Sequence, residues 1–171
     1  MKLIPAHLAL LLICALVTLT PVAQAAKPGV EGSGLPLPRF VSLRQDEANL
    51  RSGPGTRYPI DWIFQRRDLP VEVIAEFEIW RKIRDWQGTE GWVHETFLSS
   101  KRTIVVTGER RRLLADPDPK SPAVALLDPD VIARLITCPH AQDFCKVEIQ
   151  NYQGWLRRSE FWGVYPGEFI E

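Results

Sequence analysis

The sequence predicts an all-β fold, a tandem of two small, strongly bent barrels behind a cleaved leader. Three observations carry this. Beyond residue 38 the chain offers only short runs rich in β-branched and aromatic residues, each bounded by Gly, Pro, Asp, Asn or charged residues. Sustained helical periodicity is absent from that stretch. A set of residues also recurs at a spacing of about 63, as in Gly91-Trp92-Val93 and Gly154-Trp155-Leu156. The 171 residues are 45% apolar and 25% charged, which suits one globular domain or two small ones.

Residues 1–25 read as a signal peptide. Met1-Lys2 precedes an apolar run from Leu8 to Leu19, and Ala23-Gln24-Ala25 has the small-x-small spacing of a peptidase site, so cleavage is predicted after Ala25. Pro5, His7 and Pro21 interrupt the segment, which is too short to favour a permanent span. No later segment reaches membrane-span length, so no membrane span is expected after cleavage. Cys14 lies inside the leader with no small residues before it, against lipid attachment there. Residues 26–38, "AKPGVEGSGLPLP", have the Pro and Gly content of a flexible lead.

The strand candidates follow in order: Arg39 to Leu43, Ile60 to Phe64, Val71 to Phe77, Ile79 to Trp86, Gly91 to Val93 and Thr103 to Val106, with a single helical or 3₁₀ turn at His94 to Ser100. The repeat divides the chain into a first domain over 39–108 and a second over 109–171. Leu50-Arg51-Ser52-Gly53-Pro54 matches Leu113-Leu114-Ala115-Asp116-Pro117, the run from Asp68 to Ile74 matches Asp130 to Ile136, and Trp80 matches Phe144. The spacing drifts between Glu76 and Arg81, opposite Cys138 and Cys145, so the cysteines flank a hairpin loop that has lengthened. Units this small bury only about 60% of their unfolded surface, and large aromatics are expected to carry the core. The short connection from Lys101 to Arg112 implies a fixed tandem.

Loss of the leader removes one lysine and no acid, leaving the chain close to neutral, which is no footprint for nucleic acid. Two cysteines remain, Cys138 and Cys145, and in an oxidising compartment a disulfide is the expected state. Cys138, His140 and Cys145 could approach a metal, but a structural zinc would need a fourth ligand and reduced thiols, so no metal is expected. Cysteine and histidine two apart on one loop rarely line a cleft, and neither G-x-S-x-G nor H-E-x-x-H occurs. The reading is non-enzymatic and free of cofactors.

"NLRSGPGTRYP", Asn49 to Pro59, leads into a strand and has no G-K-[ST], which excludes a phosphate loop. Pro54-Gly55 instead predicts a type II turn. Tyr58 follows that turn. Trp80 and Trp86 lie six apart with Lys82 and Arg84 between them, so an unbroken strand would present all four on one side. Such an aromatic and basic strip suits an extended peptide bearing a carboxylate; it could equally cover the edge of the core. Trp92 and Trp155 read as core. Arg66-Arg67 and Arg110-Arg111-Arg112, each beside an acid, read as solvated turns.

"ANLRSGPGTRYPI" followed by "VEVIAEFEIWRKIRDWQGTEGWVHETFLS" resembles the bacterial SH3-like domain family, with its N-x-R-x-G-P-G-T-x-Y opening, central W-x-K-V strand and closing G-W-V before a short helical turn. The resemblance covers Ala48 to Ser99 and makes the fold class a tandem of two SH3-like β barrels. With the leader and the diverged second copy, the whole resembles exported two-domain proteins of alphaproteobacteria. It implies a periplasmic binding module for peptidoglycan peptides or an envelope protein partner, with a groove beside the loop after the first strand. Asn49 and Arg51 match the family opening and could rim this groove or equally fix the turn; with Tyr58, Trp80, Lys82 and Trp86 they are the candidate groove positions. In the second copy Asp116-Pro117-Asp118-Pro119 replaces the Gly-Pro-Gly element, which departs from the family pattern. The other reading is a structural or interaction protein whose aromatic surfaces are buried between the domains or against a partner, with no peptide groove.

Overall fold

A computed structural model describes residues 32–171. The predicted leader and its cleavage site lie outside the described residues. The first barrel is built from β1 (Arg39–Leu43), β2 (Ala48–Arg51), β3 (Ile60–Phe64), β4 (Pro70–Phe77), β5 (Trp80–Arg84), β6 (Glu90–His94), a 3₁₀ turn (Glu95–Phe97) and β7 (Leu98–Ser99). The second repeats the series as β8 (Thr103–Val106), β9 (Arg111–Leu114), β10 (Ala123–Leu127), β11 (Ile132–Thr137), β12 (Phe144–Ile149), β13 (Tyr152–Arg157), a 3₁₀ turn (Arg158–Glu160) and β14 (Phe161–Trp162). Strand order is β3-β2-β6-β5-β4-β1-β7 in one sheet and β10-β9-β13-β12-β11-β8-β14 in the other, so the duplication is complete.

Two details differ from the sequence reading. The run Thr103 to Val106, assigned there to the first domain, pairs with β11 and β14 of the second sheet, so the division falls at Lys101-Arg102. The lead is also tethered where it is described. Ser33 donates through its backbone N–H (2.6 Å) and its hydroxyl (2.7 Å) to the Glu76 carboxylate.

Both cores are mainly aliphatic, with Phe64 in the first and Phe161 in the second. All of the largest fully buried side chains are Leu, Ile or Val, among them Leu43, Leu50, Ile83, Ile104, Leu113 and Leu156. The expectation of aromatic cores holds only in part: Phe64, Trp80, Phe144 and Phe161 are buried, but aliphatic side chains fill the centre, and Trp86, Trp92, Trp155 and Trp162 are only half-buried. Trp92 and Trp155 are half-buried on the outer face, and the neighbouring Val93 and Leu156 point inward. Gly91 and Gly154 let strands cross, because a Cβ on Gly91 would stand 2.5 Å from Leu50.

The barrels are locked together. Phe40 of the first packs edge-on against Trp162 of the second, with ring centroids 4.7 Å apart, and also contacts Tyr165 at 4.6 Å. The Tyr165 hydroxyl donates to Glu72 (2.8 Å), Thr103 donates to the Asp68 carbonyl (2.7 Å), and Lys101 pairs with Asp68. A linker with almost no slack plus these contacts makes the tandem a fixed pair.

Candidate functional site

The Gly-Pro-Gly loop owes its shape to its own backbone and to two side chains. Ser52 N–H donates to the Pro59 carbonyl, Gly55 N–H to Gly53 (3.0 Å) and Tyr58 N–H to Gly55 (3.2 Å). The hydrogen-bonded turn is thus Gly55 to Tyr58. Gly55 has a φ of 158°, far from the roughly +80° of a type II turn, so that expectation is corrected. Arg51 braces the loop from beneath, its guanidinium donating to the carbonyls of Thr56 (3.2 Å) and Tyr58 (2.7 Å). The Tyr58 ring lies against Gly53, where a Cβ would approach it to 2.5 Å, and Arg57 stacks over its other side. Arg51 and Tyr58 therefore shape the turn.

This loop faces the tip of the β4–β5 hairpin across an open groove of about 540 Å³ whose lining includes Pro54, Arg57, Phe77, Glu78, Ile79, Trp80 and His94. Phe77 and Ile79 are 36% and 47% exposed, which is more apolar surface than the hairpin needs for its own packing. Trp80 is 7% exposed and forms the floor, with His94 edge-on to it at 5.5 Å. The His94 ring is oriented by its Nδ1, which lies 2.8 Å from the Thr96 hydroxyl.

The six positions expected to form one strip separate. Trp80, Arg51 and Tyr58 meet at the groove or its loop. Asn49 sits half-buried on β2 opposite Ile63, and Lys82 pairs with Glu90 at 2.6 Å, holding that carboxyl below its ordinary value through this hydrogen bond. Trp86 is not on the strand at all: β5 ends at Arg84, and the turn capped by Asp85 carries the indole to the far end of the barrel. Phe77, Ile79, Arg57 and His94 escaped the sequence reading. Placing them requires the hairpin pairing, though the exposed "FEI" at a turn was the available signal.

The second barrel keeps the loop's geometry with different chemistry. Ala115 N–H donates to Pro122, Asp118 N–H to Asp116 and Ser121 N–H to Asp118, bond for bond as in the first. Ser121 stands where Tyr58 does and accepts from Asp116 N–H (2.9 Å), and the vacated ring space admits a side chain at Asp116. Phe144 and Arg157 replace Trp80 and His94, the guanidinium lying 5.4 Å above the ring. The hairpin tip is closed by the Cys138–Cys145 disulfide, as expected. His140 stacks on Phe169 at 4.0 Å.

The family model of the bacterial SH3 domain matches residues 44–100 and again residues 108–163. No curated protein matches the chain. Among solved structures, NlpC1 from Trichomonas vaginalis is 10% identical with a TM-score of 0.34, over 75% of this chain and 47% of its own. NlpC2 from the same organism is 8% identical with a TM-score of 0.34, over 73% and 48%. The chain spans about half the length of these two structures, and at such values they carry no argument about its function.

Proposed function

The chain belongs to the bacterial SH3 domain family in both of its repeats, and on that premise we propose that it is an extracytoplasmic, non-enzymatic binding protein. Its first barrel takes an extended peptide, from peptidoglycan or from an envelope protein, between the Gly-Pro-Gly loop and the β4–β5 hairpin tip. The observation that carries this reading is the pair Phe77 and Ile79, exposed at a hairpin tip and facing a braced loop across a groove. A rigid wall costs little ordering entropy on binding, and Trp80 supplies a flat floor with Arg57 at the rim for a carboxylate. The disulfide supports an oxidising compartment such as the periplasm, in line with the predicted leader, and it leaves neither Cys138 nor Cys145 as a thiol nucleophile.

The test is retention on purified insoluble peptidoglycan and capture from an envelope extract, comparing wild type with Ile79→Asp. The exposed position keeps the variant folded. Loss of wall retention, or of one specific captured band, supports the groove; equal recovery, together with equal binding of a soluble stem peptide by wild type and Ile79→Asp, removes it.

A second reading, an interaction protein with aromatic surfaces buried between its domains, is favoured by the Phe40, Trp162 and Tyr165 cluster. Recovery that is equal in Ile79→Asp but lost in Phe40→Ala would select it.

A further inference from the structure

We propose that the cleft between the two barrels is a carbohydrate site for a pyranose oligosaccharide, separate from the peptide groove and independent of it. The cleft has a volume of about 410 Å³, and its walls include Phe40, Arg84, Asp85, Trp86, Trp162 and Tyr165. Its aromatic faces come from both barrels: Trp86 from the β5–β6 turn, Trp162 from β14 and Tyr165 from the tail after it. Trp86 is anchored on the first core, and Trp162 is fixed by Phe40, so both half-buried indoles are held in place.

The polar groups are held as firmly. Arg84 is bound to the buried Glu72 carboxylate through Nε (3.0 Å) and Nη2 (2.6 Å), yet 45% of its side chain remains exposed. One oxygen of Asp85, a residue only 5% exposed, accepts the N–H groups of Gln87 (2.9 Å) and Thr89 (2.8 Å), which holds the side chain in place. Tyr165 donates to Glu72, so its oxygen retains acceptor capacity.

This combination selects the ligand class. A pyranose presents a C–H face that packs on an indole, and a rim of hydroxyls that each donate and accept. It therefore needs aromatic planes beside fixed donors and fixed acceptors together. A cation would find the guanidinium of Arg84 in the wall. An anion would meet Asp85 and Glu72 against that single arginine. A purely apolar ligand would strip water from the exposed part of the Arg84 guanidinium and give it no new partner.

The second barrel is the internal comparison. At the equivalent end it carries Gln150 where the first carries Trp86, its Arg134–Glu148 pair reverses the order of Glu72 and Arg84, and the pocket there has no aromatic lining. The aromatic character thus belongs to this cleft and not to the fold that both copies share.

The test is calorimetric titration of the purified protein with the N-acetylglucosamine tetramer and, separately, with cellotetraose, choline and inorganic phosphate. Saturable binding of either oligosaccharide, weakened about tenfold or more in Trp86→Gln and in Trp162→Leu, is the expected result; the tighter of the two identifies the polymer. Ile79→Asp in the peptide groove leaves this binding unchanged. Should Trp162→Leu loosen the barrels, Trp86→Gln, which installs the residue of the second barrel, decides alone. No saturable binding of either sugar at millimolar concentration, unchanged affinity in the folded variants, or binding of choline or phosphate in place of sugar overturns the proposal.

Discussion

Glu76 and Arg81 face each other across the β4–β5 hairpin at the positions that Cys138 and Cys145 occupy in the second barrel. In the first barrel the two are an ion pair at 3.2 Å with side chains 7% and 6% exposed; in the second they are a covalent bond. One copy ties the hairpin electrostatically and the other covalently, and each uses the tie to seat a segment that flanks the barrels. Ser33 of the lead bonds Glu76, while Ile170 of the tail exchanges backbone bonds with Cys138 (2.8 and 3.1 Å).

The two ties are therefore interchangeable. Glu76→Cys/Arg81→Cys is expected to oxidise to a protein with no titratable thiol when unfolded without reductant. Arg81→Ala alone removes one partner of a carboxylate that Arg39 and Ser33 still hold, and should cost about 1–2 kcal/mol in denaturant unfolding. Two free thiols in the oxidised double variant would refute the equivalence.

Glu76 also sets an acid limb. Burial alone would raise its carboxyl, but hydrogen bonds from Ser33 and the Arg39 guanidinium outweigh that and hold it at about 2, against an ordinary 4.5. A carboxyl depressed on folding contributes stability that is complete above its unfolded value and is lost as pH falls toward the folded one. Unfolding free energy should thus decline between pH 5 and 2, and Glu76→Gln should flatten that decline while lowering stability at pH 7. Parallel curves for the two proteins would contradict the assignment.

The turn loops exchange residues in pairs. Gly53→Asp by itself pushes a Cβ into the Tyr58 ring and should destabilise by about 1–3 kcal/mol. Adding Tyr58→Ser recreates the Asp116–Ser121 arrangement, so the double variant should recover much of the loss. Strict additivity in a double-mutant cycle would show that the pair is not coupled.

Ser42 is fully buried in β1, and its hydroxyl has no hydrogen-bond partner among the described residues; the matching position in β8 is Val105. Ser42→Val is expected to raise stability by about 1 kcal/mol in denaturant titration, because it removes an unsatisfied buried group. A loss of stability would mean that the hydroxyl is satisfied in solution.

The all-β tandem was legible because short β-branched runs, turn residues and the repeat all agree, and because the spacing drift marked the cysteines as a hairpin device. The rim of the groove was not legible in full. Trp80 and Trp86 share parity on paper, but that parity holds only while the strand lasts, and Asp85 ends it by capping a turn. The interdomain cleft was hidden for a related reason: Phe40 and Trp162 are far apart in sequence and meet only once two barrels dock. The boundary error at Thr103 has a similar origin, since a strand between two repeats can close either one and only its pairing decides.

The central claim, that the first barrel holds a peptide beside its Gly-Pro-Gly loop, is tested most directly by titrating isotopically labelled protein with a soluble peptidoglycan stem peptide and following backbone amide shifts. The account predicts saturable shifts clustered at Gly53 to Tyr58, Phe77 to Trp80 and His94, with none at Asp116 to Ser121. Shifts confined to other surfaces, or none at millimolar peptide, together with no captured envelope partner that depends on Ile79, would contradict it.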